Sequence, residues 1–520
     1  MNIRTYLSAT VLLAANTAGF NVLAQDETDA LRYSYLSPQA TARSMGFAGA
    51  VGALGGDFTS LSVNPAGIGV YRRSEFTFTP SLKINGTKST YQNTETNDNT
   101  TRFTINNLGV VFTSAAEGQR YERSKWKSVS FGVGINRIAD FSRNYTYNGS
   151  ITPWQGPGDN DLTHNSASEI FSIDANNNAT PTTANQMPTN SRGYLGYQSY
   201  LLDTLGGAFV PVTIYSSKLN QQKVVQERGG ITDIAISLGA NYMEKLMLGA
   251  TVGIPSIIYK RDITFTESDA SGVPNNFFNN YQYTESLVTR GTGVNLKLGA
   301  IYKPVDFLRL GLAVHTPTYY SMKDVQDMTL TANTENFKYV LGSQDTNPIT
   351  KAVADQSVFQ YNMVTPWRMV ASAAAIIGKY GFISADYEYV DYSSTRFKYD
   401  GIYKDQQTAL NQVIKNTYKG ASILRVGVEG RIDIVSIRLG FGYYGSPYKN
   451  NSTNGQSMNV TAGVGFRLDN WFVDFGVMHT MVQDQEYPYA LNYGTISPVI
   501  PTATIKSSMN NAALTVGVKF

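Results

Sequence analysis

The sequence predicts an all-β fold: a 14-stranded antiparallel transmembrane β-barrel with an N-terminal plug (hatch) inside its lumen. Three observations predict it. The chain of 520 residues carries 34 Tyr and 46 Gly, with aromatics at 12% and charged residues at 16%. No segment approaches the ~18 consecutive apolar residues of a spanning helix, yet period-2 alternation recurs from residue 75 to the C-terminus. The connections between alternating runs also sort by length, short at one end and long at the other, as in bacterial outer-membrane barrels.

The first 25 residues, MNIRTYLSATVLLAANTAGFNVLAQ, read as an export signal. Arg4 supplies a basic start, Leu7 to Ala15 an apolar stretch, and Val22-Leu23-Ala24 a small-residue cleavage site. Residues 1–24 are therefore expected to be a signal peptide, too short and interrupted to anchor the chain. Zero Cys excludes disulfides, thiolate metal sites and Cys nucleophiles. A net charge of +3 is too small to argue for nucleic acid. Tyr and Trp favour membrane–water interfaces, which fits a barrel in a bacterial outer membrane.

Residues 25–73 are expected to form the plug. From Ala40 to Tyr71 the chain is rich in Gly, Ala and Ser, with almost no charge between Arg43 and Arg72. Glycine at this density permits close backbone approach at a cost in order, so the segment needs walls around it. Within it, Asn64-Pro65-Ala66-Gly67 combines a fixed proline φ with a permissive glycine. These four residues are the expected gate, a tight turn against the inner wall.

Residues 74–520 supply the barrel. Alternation places strands at Glu75–Ile84, Arg102–Ser114, Lys127–Asn148, Gly230–Met243, Leu246–Glu267, Tyr281–Lys303 and Leu308–Tyr320. Seven more follow at Val358–Gly378, Tyr380–Tyr399, Ala421–Ile432, Ile434–Pro447, Gln456–Leu468, Trp471–Glu486 and Ala503–Phe520. Val129, Phe131, Val133 and Ile135 share one face, and Ile234, Ile236 and Leu238 oppose Asp233 and Ser237. Lipid outside and a polar lumen inside require this sorting, since an outward charge at the bilayer midplane costs ~2–4 kcal/mol. Lys297, Arg309, Asp386, Glu388, Arg425, Arg438, Arg467 and Asp474 then fall inside, where they can pair. Trp126, Tyr242, Tyr302, Tyr380 and Trp471 fall at the short-turn strand ends, where an aromatic girdle belongs. In the third strand the parity breaks after Ile135 at Arg137 and resumes out of step before Phe141, the mark of a bulge or kink.

Gly46, Ala48, Gly49, Ala50, Asp57 and the Asn64–Gly67 motif resemble the N-terminal plug of the outer-membrane long-chain fatty-acid and aromatic-hydrocarbon transporter family (FadL/TodX-like). Leu308–Tyr320, Thr365–Ser393, Leu424–Pro447 and Val460–Gly476 resemble its consecutive hairpins. The resemblance implies passive uptake of hydrophobic small molecules: capture at outer loops, transfer to a lumen pocket, plug movement and lateral exit. It implies an inward kink of the third strand that opens the wall, here at Ile135, Arg137, Ala139 and Asp140. A terminal Phe520 resembles the signal read by the barrel-insertion machinery. One departure stands out: the longest loop here follows the third strand.

That loop contains GYLGYQSYLLDTLGGAFVPVTIY, Gly193 to Tyr215, an apolar patch in polar surroundings. Exposed apolar surface of that size binds something, so Tyr194, Tyr197, Leu201, Leu202 and Phe209 are candidate ligand-capture residues. Burial against the barrel rim is the competing reading. The three His, at 164, 315 and 479, show no metal or haem spacing. A hydrolase would need His315 and Asp386 to meet across the lumen. Gly132-Val133-Gly134 and Gly291-Thr292-Gly293 lack the strand–turn–helix setting of a nucleotide loop. The expectation is a non-enzymatic monomer without metal or cofactor, whose partners are a hydrophobic ligand, outer-membrane lipid and the insertion machinery. A general porin for polar solutes and a haem receptor are the alternatives.

Overall fold

In the computed structural model the described residues are 26–37, 41–152, 166–335, 349–450, 455–489 and 500–520. The expected signal peptide and His164 lie outside them. Fourteen antiparallel strands follow one another around the barrel. They are β1 (Glu75–Tyr91), β2 (Thr94–Ala115), β3 (Trp126–Asp140, continuing as Arg143–Ile151), β4 (Leu219–Tyr242), β5 (Leu246–Asp269) and β6 (Asn280–Val305). Next come β7 (Leu308–His315 and Tyr319–Asn333), β8 (Ile349–Val353, Ser357–Val364 and Arg368–Ile377) and β9 (Gly381–Asp391 and Arg396–Lys398). The last are β10 (Gly420–Ile432), β11 (Val435–Tyr444), β12 (Ser457–Arg467), β13 (Trp471–Glu486) and β14 (Ala503–Lys519). Pairing of β14 with β1, from Glu75↔Lys519 to Thr90↔Thr504, closes the cylinder.

Alternation sorts the faces. Leu82, Ile84, Ile234, Ile236, Leu238, Leu312, Leu424 and Val516 are exposed on the outside, while Asp233, Ser237, Asp386 and Asp474 are buried inside. The apolar belt and closed ladder meet the two demands of a bilayer, apolar contact and no free backbone. Trp126, Tyr302, Tyr380 and Trp471 are exposed at the short-turn end, and Trp126 packs edge-on against Tyr242 with centroids 5.1 Å apart.

One feature departs from the sequence expectation. The polar stretch between Ile84 and Arg102 is strand on both sides of a two-residue turn, Gln92-Asn93, with φ of 47° and 61°. One connection at the long-loop end is therefore short. Beyond the lipid no face must be apolar, so the alternation that marks a strand fades while the ladder continues. β6 runs for 26 residues, more than twice the ~9–11 that cross a bilayer. The third strand is divided where its parity breaks, as expected, with Phe141 and Ser142 between its segments.

Replacing Ile236 with Arg puts a charge on the belt. Folding free energy into lipid vesicles, read by denaturant titration, should fall by ~2–4 kcal/mol relative to Ile236→Leu.

Candidate functional site: plug, bulge and aromatic lumen

The plug enters with α1 (Glu27–Ser34), capped by Asp26, whose carboxylate accepts from the amides of Thr28 and Asp29. It continues through α2 (Ala42–Gly46), α3 (Ser60–Val63) and a 3-10 turn at Pro65–Val70. From Thr41 to Tyr71 every residue is buried except Arg43, Gly56 and Val70, which are half-buried. Asn64, Pro65, Ala66 and Gly67 form the start of the 3-10 turn. Asn64 Oδ1 accepts from the Ala66 amide at 3.2 Å, and Nδ2 donates to Gly52 O at 2.6 Å and to Ala300 O of β6 at 3.3 Å.

The wall receives this turn on glycine. Gly239, Gly249 and Gly299 are direct cross-strand partners on β4, β5 and β6. A Cβ at Gly299 would lie 1.9 Å from Asn64 Oδ1, at Gly249 2.2 Å from Pro65 O, and at Gly239 2.1 Å from Ile68 Cγ2. The same device repeats around the lumen. The pair Gly427↔Gly440 faces Phe47, Gly463↔Gly476 faces Gly46 and Ala42, and Gly109↔Gly134 faces Phe58.

Inward charges complete the clamp. Gly52 N donates to Asp386 at 3.0 Å, Arg309 to Leu54 O at 2.6 Å, and His315 Nε2 lies 2.9 Å from Val63 O. Arg43 of the plug approaches Glu429 at 3.5 Å; Glu429 binds Arg438 at 2.6 Å, and Arg438 binds Asp474 at 2.7 Å. Arg467 reaches Asp474 at 3.3 Å, Glu388 bridges Arg368 and Arg425, and Lys297 pairs with Asp233. His315 and Asp386 each serve the plug backbone. His479 pairs with Asn510 at 2.8 Å, and no group of three metal ligands occurs among the described residues.

The third strand bulges where its parity breaks. Its register with β4 shifts between Arg137 and Ala139, leaving Ile138 as the extra residue. Arg137 holds Asp140 at 2.8 Å and Gly229 O at 2.6 Å, and Lys83 reaches Asp140 at 3.1 Å. Ile135 is half-buried and Ala139 buried. Pairing with β2 ends at Asn107↔Asn136, just where β2 itself bulges at Asn106 opposite Thr79 and Pro80. Beyond that point β3 is laddered to β4 alone among the described residues. Its freed edge docks on the inner side of the β1–β2 hairpin instead. Asn85 donates to Ser142 O, Thr87 to Asn144 O at 2.5 Å and Thr96 to Thr146 O, while the Thr146 amide donates to Asp98 at 2.6 Å. Plug residues back the bulge: Ser37 N donates to Ile138 O at 2.8 Å, and Asn136 donates to Ser62 at 2.9 Å.

Behind the bulge the lumen is apolar, which the sequence reading did not anticipate. Tyr259, Leu287, Tyr320, Met322, Tyr361 and Met363 face inward and form one buried cluster with Ile138, Ala139, Ala30 and Tyr33. Phe141, next to the bulge, packs edge-on against Tyr33 of α1 at 6.0 Å and Tyr259 at 5.6 Å. The Arg32 guanidinium sits 4.4 Å from the Tyr259 ring centroid. The sequence signal was apolar residues on both parities, as in Ile257-Ile258-Tyr259 and Tyr319-Tyr320-Ser321-Met322, where a polar lumen would show one. At the long-loop end α1 is covered by the helix Lys404–Thr417, and Tyr418 Oη donates to Glu27 O at 3.0 Å.

The expected capture patch is not exposed. Leu201, Leu202 and Phe209 are core residues of a folded cap, with Phe171, Tyr281 and Leu330, and Tyr194 and Tyr197 pack half-buried against it. The apolar composition of this loop is explained by that core: helices Glu169–Asn178 and Arg192–Gln198 need a buried face to order at all.

Fold and site together define a class, a plugged transmembrane β-barrel with a bulged third strand and an aromatic lumen. Among solved structures, a FadL homologue from Pseudomonas aeruginosa superposes with a TM-score of 0.52 at 13% identity, covering 94% of this chain and 100% of that one. The P. putida toluene transporter TodX superposes with a TM-score of 0.51 at 11% identity, covering 94% and 99%. Likeness at such identity establishes the shared fold. No family model matches the chain, and no curated protein does.

Two predictions follow from the packing. Gly249→Ala with Gly299→Ala drives methyl groups into the Asn64–Pro65 turn, an overpacking of ~1–3 kcal/mol. Single-channel conductance in planar bilayers should rise, while heat-modifiable migration still reports a closed barrel. Burial pushes the Asp29 carboxyl up to about 7 against the pull of Arg32. A folded value raised above 3.8 means docking of α1 is strongest below about pH 4 and is lost as pH rises through 7. Hydrogen exchange over residues 27–34 should therefore accelerate between pH 5 and 8 beyond the intrinsic rate, and Asp29→Asn should reduce that excess, the remainder coming from Glu27, which burial also pushes up to about 7.

Proposed function

We propose that this chain is a passive channel for hydrophobic small molecules, long-chain fatty acids or aromatic hydrocarbons, in a bacterial outer membrane. The observation that carries the reading is the apolar, aromatic layer inside the lumen, directly behind the third-strand bulge. Barrel lumens are polar, and an apolar chamber gains ~0.8 kcal/mol per ligand CH₂ buried. It captures a greasy molecule without specific chemistry. A porin for polar solutes has no use for such a layer, and the plug closes the path it would need. The two neighbours of like fold are described as a FadL homologue and a toluene transporter, in keeping with this reading.

In this account the ligand enters from the capped end and rests among Tyr259, Tyr320 and Tyr361 as α1 withdraws. It leaves sideways between β2 and β3, where the ladder stops. Ile135, Arg137, Ala139 and Asp140 frame that exit, and Asn64–Gly67 hold the axial path shut. Opening the exit breaks no main-chain ladder: beyond Asn107↔Asn136 the two sides meet, among the described residues, only through side-chain hydrogen bonds such as Asn85 to Ser142 O and Thr87 to Asn144 O, and the Ile138 carbonyl is held by Ser37 of the plug. No reaction is catalysed, and the barrel works as a monomer after insertion.

The exit can be locked. Thr146 Oγ1 lies 3.2 Å from Asp98 Oδ1, so Asp98→Cys with Thr146→Cys ties the outer arm of β3 to the β1–β2 hairpin in a chain without other Cys. Oxidation should slow liposome uptake of a fluorescent fatty acid at least tenfold, and dithiothreitol should restore it. Equal uptake in the oxidised and reduced forms overturns lateral exit.

A further inference from the structure

A second feature lies on the opposite side of the wall, facing away from the lumen. Across the outer faces of β12, β13, β14, β1 and β2 runs a groove of about 700 Å³, whose lining includes Gly86, Lys88, Asn97, Asn99, Met481 and Lys506. Strand alternation fixes its side: Lys88, Asn97, Asn99, Met481 and Lys506 are exposed, while Thr87 and Ser507 between them are buried.

Ladder register gives the groove its order. One cross-strand row reads Gln483, Lys506, Lys88, Asn97. The row beneath it reads Met481, Ser508, Gly86, Asn99. The small residues Gly86 and Ser508 make the floor concave. Further down come Ile84, Leu82, Phe103 and Leu514, the exposed apolar belt. The groove therefore straddles the boundary where the belt ends.

Two lysines directly opposite one another repel. Lys88 has a half-exposed partner in Glu95 at 2.8 Å, a solvent-screened pair of little weight. Among the described residues no carboxylate lies within ion-pair distance of Lys506. Side-chain amides of Asn97, Asn99 and Gln483 flank the pair with hydrogen-bond donors. The combination of two cations, neutral donors and an apolar slope below is complementary to an anionic headgroup with acyl chains attached.

We propose that this groove binds an anionic membrane lipid whose headgroup carries phosphate, with Lys88 and Lys506 on the phosphate and the chains lying over Gly86 and Ile84. A lipid fits better than a free anion because Met458, Met481 and the belt have no role in holding phosphate alone. The proposal rests on the strands crossing a bilayer, but not on what the lumen carries. Ligand uptake by the groove variants should stay at the wild-type rate, so its failure and that of the transport reading are distinguishable.

The test is native mass spectrometry of the detergent-solubilised full chain with dioleoyl phosphatidylglycerol or dioleoyl phosphatidylcholine at equal concentration. Wild type should retain the anionic lipid at least fivefold better. Lys88→Gln with Lys506→Gln should bring it down to the zwitterionic level, and Lys323→Gln, an exposed lysine on β7, should change nothing. Ser508→Trp fills the floor with both lysines in place and should abolish retention equally. Heat-modifiable migration confirms that each barrel is closed. Equal retention of the two lipids, or full retention in either groove variant, overturns the proposal. So does displacement of the lipid by millimolar inorganic phosphate, which marks an adventitious anion site.

Discussion

The lumen depends on backbone meeting backbone. The plug shares its core with the wall: Phe47, Val51, Leu54 and Val63 cluster with Ala374 and Phe382, while α2 and α3 are five and four residues long, below what holds a helix together in isolation. Its order comes from inward glycines paired across neighbouring strands, which let Asn64, Phe47, Phe58 and Ala42 approach the wall at main-chain distance. A missing Cβ at these positions is the condition for contact, not a relaxation of it. The charges then set registration. Buried pairs such as Arg438–Asp474 contribute little net stability once desolvation is counted, but Asp386 accepts from Gly52 N, Arg309 donates to Leu54 O, and Arg43 of the plug reaches Glu429 of β10, so each ties the plug to one place on the wall.

The bulge is the second consequence of the same packing. A strand that leaves its ladder in a low-dielectric environment exposes amides and carbonyls that cost several kcal/mol each. Here several of these groups are met by partners off the ladder. Ser37 takes the Ile138 carbonyl, and Asn85, Thr87, Thr96 and Asp98 take the next groups on the arm. The wall is thus two layers thick beside the discontinuity, and the hydrogen bonds across it run through side chains rather than the main chain.

How much of this was legible follows from where the bilayer acts. Lipid enforces alternation, so all fourteen strands and their faces could be read, as could the girdle residues Trp126, Tyr242 and Trp471. The parity break between Ile135 and Phe141 was readable for the same reason, and the Asn64–Gly67 turn through proline and glycine chemistry. Where lipid stops, the signal stops: the β1–β2 hairpin beyond Ile84 is polar on both faces and read as loop. Leu201, Leu202 and Phe209 misled because apolar composition does not say whether a face is covered. The glycine rows could not be seen at all. Gly239, Gly249 and Gly299 become one surface only when the strand register is known.

The connectivity of the plug has a further consequence for assembly. Its stem, Arg72 and Arg73, leads straight into β1, and β1 is the strand on which β14 closes. Arg73 donates to Lys519 O at 3.3 Å and to Asn470 at 2.8 Å, and Phe520 N donates to Ser74 O at 3.0 Å. The plug is thus tethered at the seam, like a cork tied to the lip of its own bottle. A cylinder that seals before the tether has turned inward leaves four glycine rows facing water until the plug fills the lumen. The tether keeps the plug at the mouth of the lumen throughout, beside the very seam that closes the wall.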